Sequence, residues 1–195
     1  MLRGAIAELA VGDNADLATD VGPIIDGAAL KALEEHAGQM ARLGQLLATA
    51  PMDPALPDQG NFFAPRAFLL DSIEPLTREV FGPILHIVRF GQDRLEDVVS
   101  ALNATGYGLT LGLHTRLDET IETVERLARV GNLYVNRNQI GAVIGVQPFG
   151  GEGLSGTGPK AGGPHYLHRF ASERTLSIDT TASGGNASLL SLREE

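Results

Sequence analysis

Residues 84–136 read ILHIVRFGQDRLEDVVSALNATGYGLTLGLHTRLDETIETVERLARVGNLYVN. The pattern alternates. Short apolar runs at 84–90, 109–115 and 132–136 have strand character, and the first and last are rich in β-branched residues. Between them, 93–103 and 118–129 carry apolar residues at helical spacing. Strand, helix, strand, helix, strand at this pitch predicts crossover units. The fold class expected is α/β, with a mainly parallel open sheet. Nearly continuous apolar strands suit a sheet covered on both faces.

Upstream, residues 2–10 look helical but start without a capping residue. Asp26 is placed to cap a helix running to about residue 43, with Ala29, Leu30, Leu33, Ala37 and Met40 on one face. A short strand is expected at 44–50, then a proline-rich surface turn. Residues 61–65 and 66–71 read as strands interrupted by Pro65. Downstream, the last strand of the alternating stretch runs into a glycine-rich loop. After it come PHYLHRFA, an edge strand or arm at 174–180, and a small-residue tail.

A chain of 195 residues is enough for one domain with a core. The formal charge of −9 argues against a grip on nucleic acid, which needs a basic stripe. There is no cysteine, so no disulfide, thiolate metal site or thiolate nucleophile exists within these residues. No run of about 18 apolar residues exists to cross a membrane, and nothing at the start has signal-peptide form. A cytoplasmic location is expected. His165 and His168 are three apart but lack the further ligands a metal needs. His36, His86 and His114 read as isolated structural residues.

Two stretches carry candidate chemistry. In REVFGPIL (78–85), Gly82-Pro83 is expected to end a helical turn and start a strand. Glu79 would then sit at a sheet edge, where a carboxylate can accept hydrogen bonds from vicinal ribose hydroxyls. Phe81 could pack on a sugar or nicotinamide face. These residues alone leave open an ordinary turn with a solvated Glu79 and a core Phe81. The second stretch is the loop. Nine of the 24 glycines fall from Gly141 to Gly163. Ile140, Val143, Ile144, Val146, Phe149 and Leu154 are interleaved, which suits an ordered loop better than a linker. At Gly141-Ala142 the backbone N–H groups could face a carboxylate. Phe149 could wall a channel. An ordered surface loop without a ligand remains the alternative.

Taken together, EVFGPILHIVRF, LNATGYGLTLGLHT, GNLYVNRN and QPFGGEGLSGTG resemble, in the same order, four signatures of aldehyde dehydrogenases. The variant GAVIGVQPFGGEGLSGTGPKAGG resembles the aldehyde dehydrogenase half of bacterial proline utilisation A proteins, in its C-terminal part. The resemblance implies residues 1–172 from that domain, and a returning strand and tail over 173–195 that make an oligomer contact. It implies that Glu79 and Phe81 bind the nicotinamide ribose of NAD. It implies that Gly141 and Ala142 hold the α-carboxylate of glutamate γ-semialdehyde, with Phe149 against its stem. The family attacks the aldehyde with a cysteine thiolate and cleaves the thioester with a glutamate-activated water. By that resemblance both groups belong to segments upstream of these residues, so no catalytic residue is assigned and the chain alone is expected to be inactive. FAD serves only the proline dehydrogenase half, which has no counterpart here. The alternative reading is a non-catalytic, aldehyde-dehydrogenase-like assembly module.

Overall fold

The structure, a computed structural model, describes residues 1–179. Its first half is a small sheet with a helix on each face. Asp26 caps the longer helix, its Oδ1 accepting from the Ala29 N–H at 2.7 Å. That satisfies one of the backbone donors a helix start leaves unpaired. The helix α2, Gly27–Leu43, buries Leu33, His36, Ala37 and Met40. Replacing Asp26 by Ala should cost about 1 kcal/mol. Urea unfolding measures it, and an unchanged midpoint would mean the cap is irrelevant.

α2 packs on a sheet of β1 (Gln45–Thr49), β2 (Arg66–Leu70) and β3 (Ile84–Val88). β1 runs antiparallel to β2, and β2 runs parallel to β3 in the register Arg66↔Ile84 to Leu70↔Val88. Successive strand residues point to opposite faces. Phe68 therefore joins Leu33, Ala37, Met40, Phe63 and Leu70 beneath α2. Its neighbour Ala67 packs on the other face with Ala50 and Ile6 of α1 (Leu2–Ala7). Arg66 further ties β2 to α2 through a two-pronged pair with Glu34, both contacts 3.2 Å.

The second half contains α3 (Leu95–Ala104), β4 (Tyr107–Gly108), β5 (Thr110–Leu113), α4 (Asp118–Leu127), β6 (Asn132–Val135) and β7 (Glu152–Gly153). β5 and β6 pair in parallel, from Thr110↔Asn132 to Leu113↔Val135, with α4 as their crossover. β4 and β7 pair antiparallel and bring the glycine-rich loop back to the end of α3.

The α/β class and the parallel crossover stand as read from the sequence, with four corrections. The strands before and after α3 do not share a sheet: β3 pairs with β2 and β5 with β6, so the described strands form three separate sheets. A crossover pattern specifies the order of strands, but a ladder also needs edges brought to about 4.8 Å. Residues 61–65 are not a strand, because Pro65 has no N–H to donate to a ladder. That segment contributes isolated carbonyl contacts, Ile24 N–H to Asn61 O at 2.7 Å and Ala50 N–H to Pro65 O at 2.8 Å. The helical turn expected before Gly82 is irregular chain. Residues 174–179 form no strand either: Leu176 and Ile178 are 72% and 71% exposed, and none of the strands among the described residues pairs with them. Thr180 and the rest of the expected 173–195 tail lie outside the described residues. Among the described residues no helix is long and apolar enough to cross a membrane.

Candidate active site

Most of the polar residues in the loop-bearing motifs hold backbone in place. Asn103, at the end of α3, donates through Nδ2 to Leu127 O (2.8 Å) and accepts the Arg129 N–H at Oδ1 (2.9 Å). It closes the C-terminal end of α4, where carbonyls lack helical partners. Asn136 takes φ 55°, a conformation Asn tolerates better than most residues. Its side chain bonds both the N–H and the carbonyl of Thr115, at 3.0 and 2.9 Å. It thereby extends the β5–β6 pairing where the backbone turns away.

The glycine-rich loop is ordered by similar means. Buried Asn132 donates to Pro148 O (3.0 Å) and accepts from the Gly150 N–H (3.4 Å). Phe149 and Ala161 exchange backbone hydrogen bonds of 3.0 and 2.8 Å. Ser155 Oγ accepts from the Gly108 N–H at 3.0 Å, and Lys160 Nζ reaches Gly131 O. The packing explains the glycine at 131: a Cβ there would lie 1.7 Å from Gly150 O.

This scaffold brings Gly141, Ala142 and Phe149 to one cleft of about 600 Å3, walled also by Leu109, Ile144 and Gln147. Gly141 has φ 75°, a left-handed conformation that glycine adopts without strain. Among the described residues the Gly141 and Ala142 N–H groups meet no protein acceptor. The Arg137 guanidinium stacks 4.8 Å from the Tyr134 ring and donates to Ile140 O at 3.4 Å. Two unpaired backbone N–H groups at such a turn are able to donate to an anion.

Glu79 and Phe81 sit apart from that turn. Glu79 borders a second cavity of about 370 Å3, with Tyr107, Thr105 and Ser155. Its carboxylate is exposed, and its backbone N–H donates to Tyr107 Oη at 3.3 Å. Phe81 is 89% exposed, so the reading of it as core is ruled out in this chain. Leu109 and Thr110 line both cavities, so the two groups of residues flank one piece of wall. Sequence reasoning missed Tyr107, Asn132, Arg137 and Gln147. All four lie inside the quoted motifs, but nothing in a motif tells a loop anchor from a ligand contact.

His36 and His86 are not isolated, as the sequence suggested. Fifty residues apart, they meet through Nε2 atoms 2.9 Å apart and join α2 to β3. Two such nitrogens make a hydrogen bond only when one carries a proton and the other does not. Burial, then the positive charge of Arg78, pushes the His36 pKa below 6.5. Burial, then His36, lowers that of His86. Unfolded, both protonate near 6.5. Below that pH the unfolded chain takes up protons that the folded chain does not, so stability falls as pH drops from 6.5 through the lowered values. Above 6.5 the contribution is complete. Urea midpoints at pH 7.5 and 5.0 should show this loss, and replacing both histidines by Gln should shrink it. An unchanged pH slope in the double variant would reject the assignment. Among the described residues, no three His, Asp or Glu side chains converge as metal ligands.

The structure thus sets a parallel crossover pair, a glycine-rich loop presenting free N–H groups and an acidic residue around one shared wall. A family model described as the aldehyde dehydrogenase family matches residues 1–176, and the chain belongs to that family. It is 52% identical to the bifunctional protein PutA of Escherichia coli over 181 residues, which are 91% of this chain and 14% of that protein. It is 36% identical to a 1-pyrroline-5-carboxylate dehydrogenase of a Geobacillus species, over 87% of this chain and 32% of the relative. Its structure resembles that of Bradyrhizobium japonicum Proline Utilization A, with a TM-score of 0.85 and 54% identity over 93% of this chain and 18% of the other. It also resembles a Thermus 1-pyrroline-5-carboxylate dehydrogenase with bound NAD, with a TM-score of 0.75 and 34% identity over 86% and 32% of the two chains. The chain thus spans about one seventh of the PutA relatives and one third of the dehydrogenases.

Proposed function

We propose that this chain supplies the substrate-anchoring side of an NAD-dependent dehydrogenase that oxidises L-glutamate γ-semialdehyde to glutamate in proline catabolism. The observation that carries the reading is the pair of unengaged N–H groups at Gly141 and Ala142, in one cleft with Phe149. They receive the substrate α-carboxylate, and Phe149 packs on the aliphatic stem. Glu79 accepts hydrogen bonds from the nicotinamide ribose, with Phe81 beside it. The place of Glu79 beside a wall shared with the cleft, and the exposure of Phe81, fit that part of NAD, which takes the hydride when bound. The adenine and pyrophosphate contacts belong to other segments, as does the thiolate nucleophile that family membership implies. Residues 1–172 serve as part of the catalytic domain, and 173–195 as a subunit contact. A homo-oligomer in the cytoplasm fits this reading.

The test is Glu79→Gln in the complete dehydrogenase. Weakening hydrogen bonds of about 0.5–1.5 kcal/mol each should raise KM for NAD several-fold. KM for the aldehyde should hardly move. A non-catalytic assembly module predicts no NADH from glutamate semialdehyde even with the upstream segments present, so that outcome selects the alternative. Exposed Phe170, Leu176 and Ile178 should also drive self-association of the isolated chain. Light scattering that finds only monomer at high concentration would remove the subunit-contact assignment.

A further inference from the structure

Gln147 lies two residues before Phe149, in the wall between the anchor cleft and a shallower hollow beside Tyr134 and Arg137. Its Oε1 is shut off from solvent and has no hydrogen-bond partner among the described residues. It is the one buried side-chain oxygen or nitrogen there of which this is true. Buried polar atoms are nearly always paired, so an orphan at the wall of a cleft marks a contact still to be made. The missing partner must be a donor, because a carboxamide oxygen only accepts. The cleft has no Asp or Glu in its wall. A cationic donor entering it therefore meets a neutral acceptor or none.

Building on the proposed substrate, we infer that Gln147 is a specificity-determining residue that accepts a hydrogen bond from the α-ammonium group of the amino-acid aldehyde. The ammonium is attached to the same carbon as the carboxylate held by Gly141 and Ala142. One end of the ligand thus offers both the acceptor those N–H groups lack and the donor Oε1 lacks. No hydrogen bond within the described residues fixes the carboxamide, and its terminal torsion is broad. It turns to present Oε1 to the cleft without breaking a bond. The contact separates an α-amino acid aldehyde from the same aldehyde bearing only a carboxylate. A site built to bond a polar group discriminates strongly against a ligand that lacks it.

The experiment compares kcat/KM of the complete dehydrogenase for glutamate γ-semialdehyde and for 5-oxopentanoate, which has the same length and carboxylate but no ammonium. Wild type should prefer the amino-acid aldehyde. Gln147→Met, which keeps the bulk and removes the acceptor, should lower that preference at least tenfold. Gln147→Glu, which keeps an acceptor, should retain it even if both rates fall. Poor folding lowers both substrates alike and leaves the ratio intact, so the ratio isolates the contact. Equal losses on both substrates with Gln147→Met, from a wild type that does oxidise glutamate semialdehyde, would overturn the role of Gln147 alone. A wild type that oxidises neither aldehyde overturns the substrate reading and this inference with it.

Discussion

Incubated with NAD and glutamate γ-semialdehyde, the 195-residue chain alone should release no NADH above background. The family chemistry begins with attack of a thiolate on the aldehyde carbon, and the chain contains no cysteine. Its hydroxyls are poor nucleophiles without a base, because at neutral pH almost none is ionised. One of its two lysines, Lys160, is engaged with Gly131 O, and the other, Lys31, sits on the exposed face of α2 near Glu35. Thr110 lines both the Gly141 cleft and the Glu79 cavity, but it offers a hydroxyl and not a thiolate. Removing a nucleophile from an enzyme that depends on one costs on the order of 10^6 in kcat. The expected difference from the complete dehydrogenase is therefore at least about 10^4. The assay follows absorbance of NADH after purification under denaturing conditions and refolding, which removes contaminating enzymes. Turnover that persists and scales with chain concentration would show that another group performs the attack.

The second large effect is on specificity. Ala142→Leu in the complete dehydrogenase should reduce kcat/KM for glutamate semialdehyde by at least about tenfold, near 1.4 kcal/mol of transition-state binding. Charge-assisted hydrogen bonds to a carboxylate contribute about 1.5–3 kcal/mol each, and a leucine side chain obstructs approach to the N–H groups that make them. The wall has little freedom to retreat. Phe149 is fixed through its backbone to Ala161, and Asn132 holds Pro148 and Gly150 on either side of it. Aldehydes without a carboxylate should lose much less. If propanal and glutamate semialdehyde lose activity equally, the loop is a structural element and the anchor is elsewhere.

Much of the fold was legible because its signals are local. The Asp26 cap, the helical spacing of Leu33, Ala37 and Met40, and the crossover through α4 depend on neighbours in the chain. Residues 174–179 mark the limit of such reading. Their alternating composition suits a strand, yet a strand exists only against an edge, and no strand among the described residues pairs with them. Propensity describes what a segment can pair with, whereas the presence of a partner is a property of the assembled molecule.

The candidate site divides along the same line. The sequence by itself determined the family, the absence of a thiolate and the residues offered for ligand contact, since each depends on residue type and order. Only the tertiary structure decided which of them meet. Gly141, Ala142 and Phe149 share a cleft because Asn132 and Ala161 fold the loop back. Leu109 and Thr110 place Glu79 on the far side of a common wall. Neither His36 nor His86 carries any sign of the other, and Gln147 shows its unpaired oxygen only once its surroundings are packed. Hydrogen-bond satisfaction and desolvation are sums over spatial neighbours, and most of those neighbours are distant along the chain.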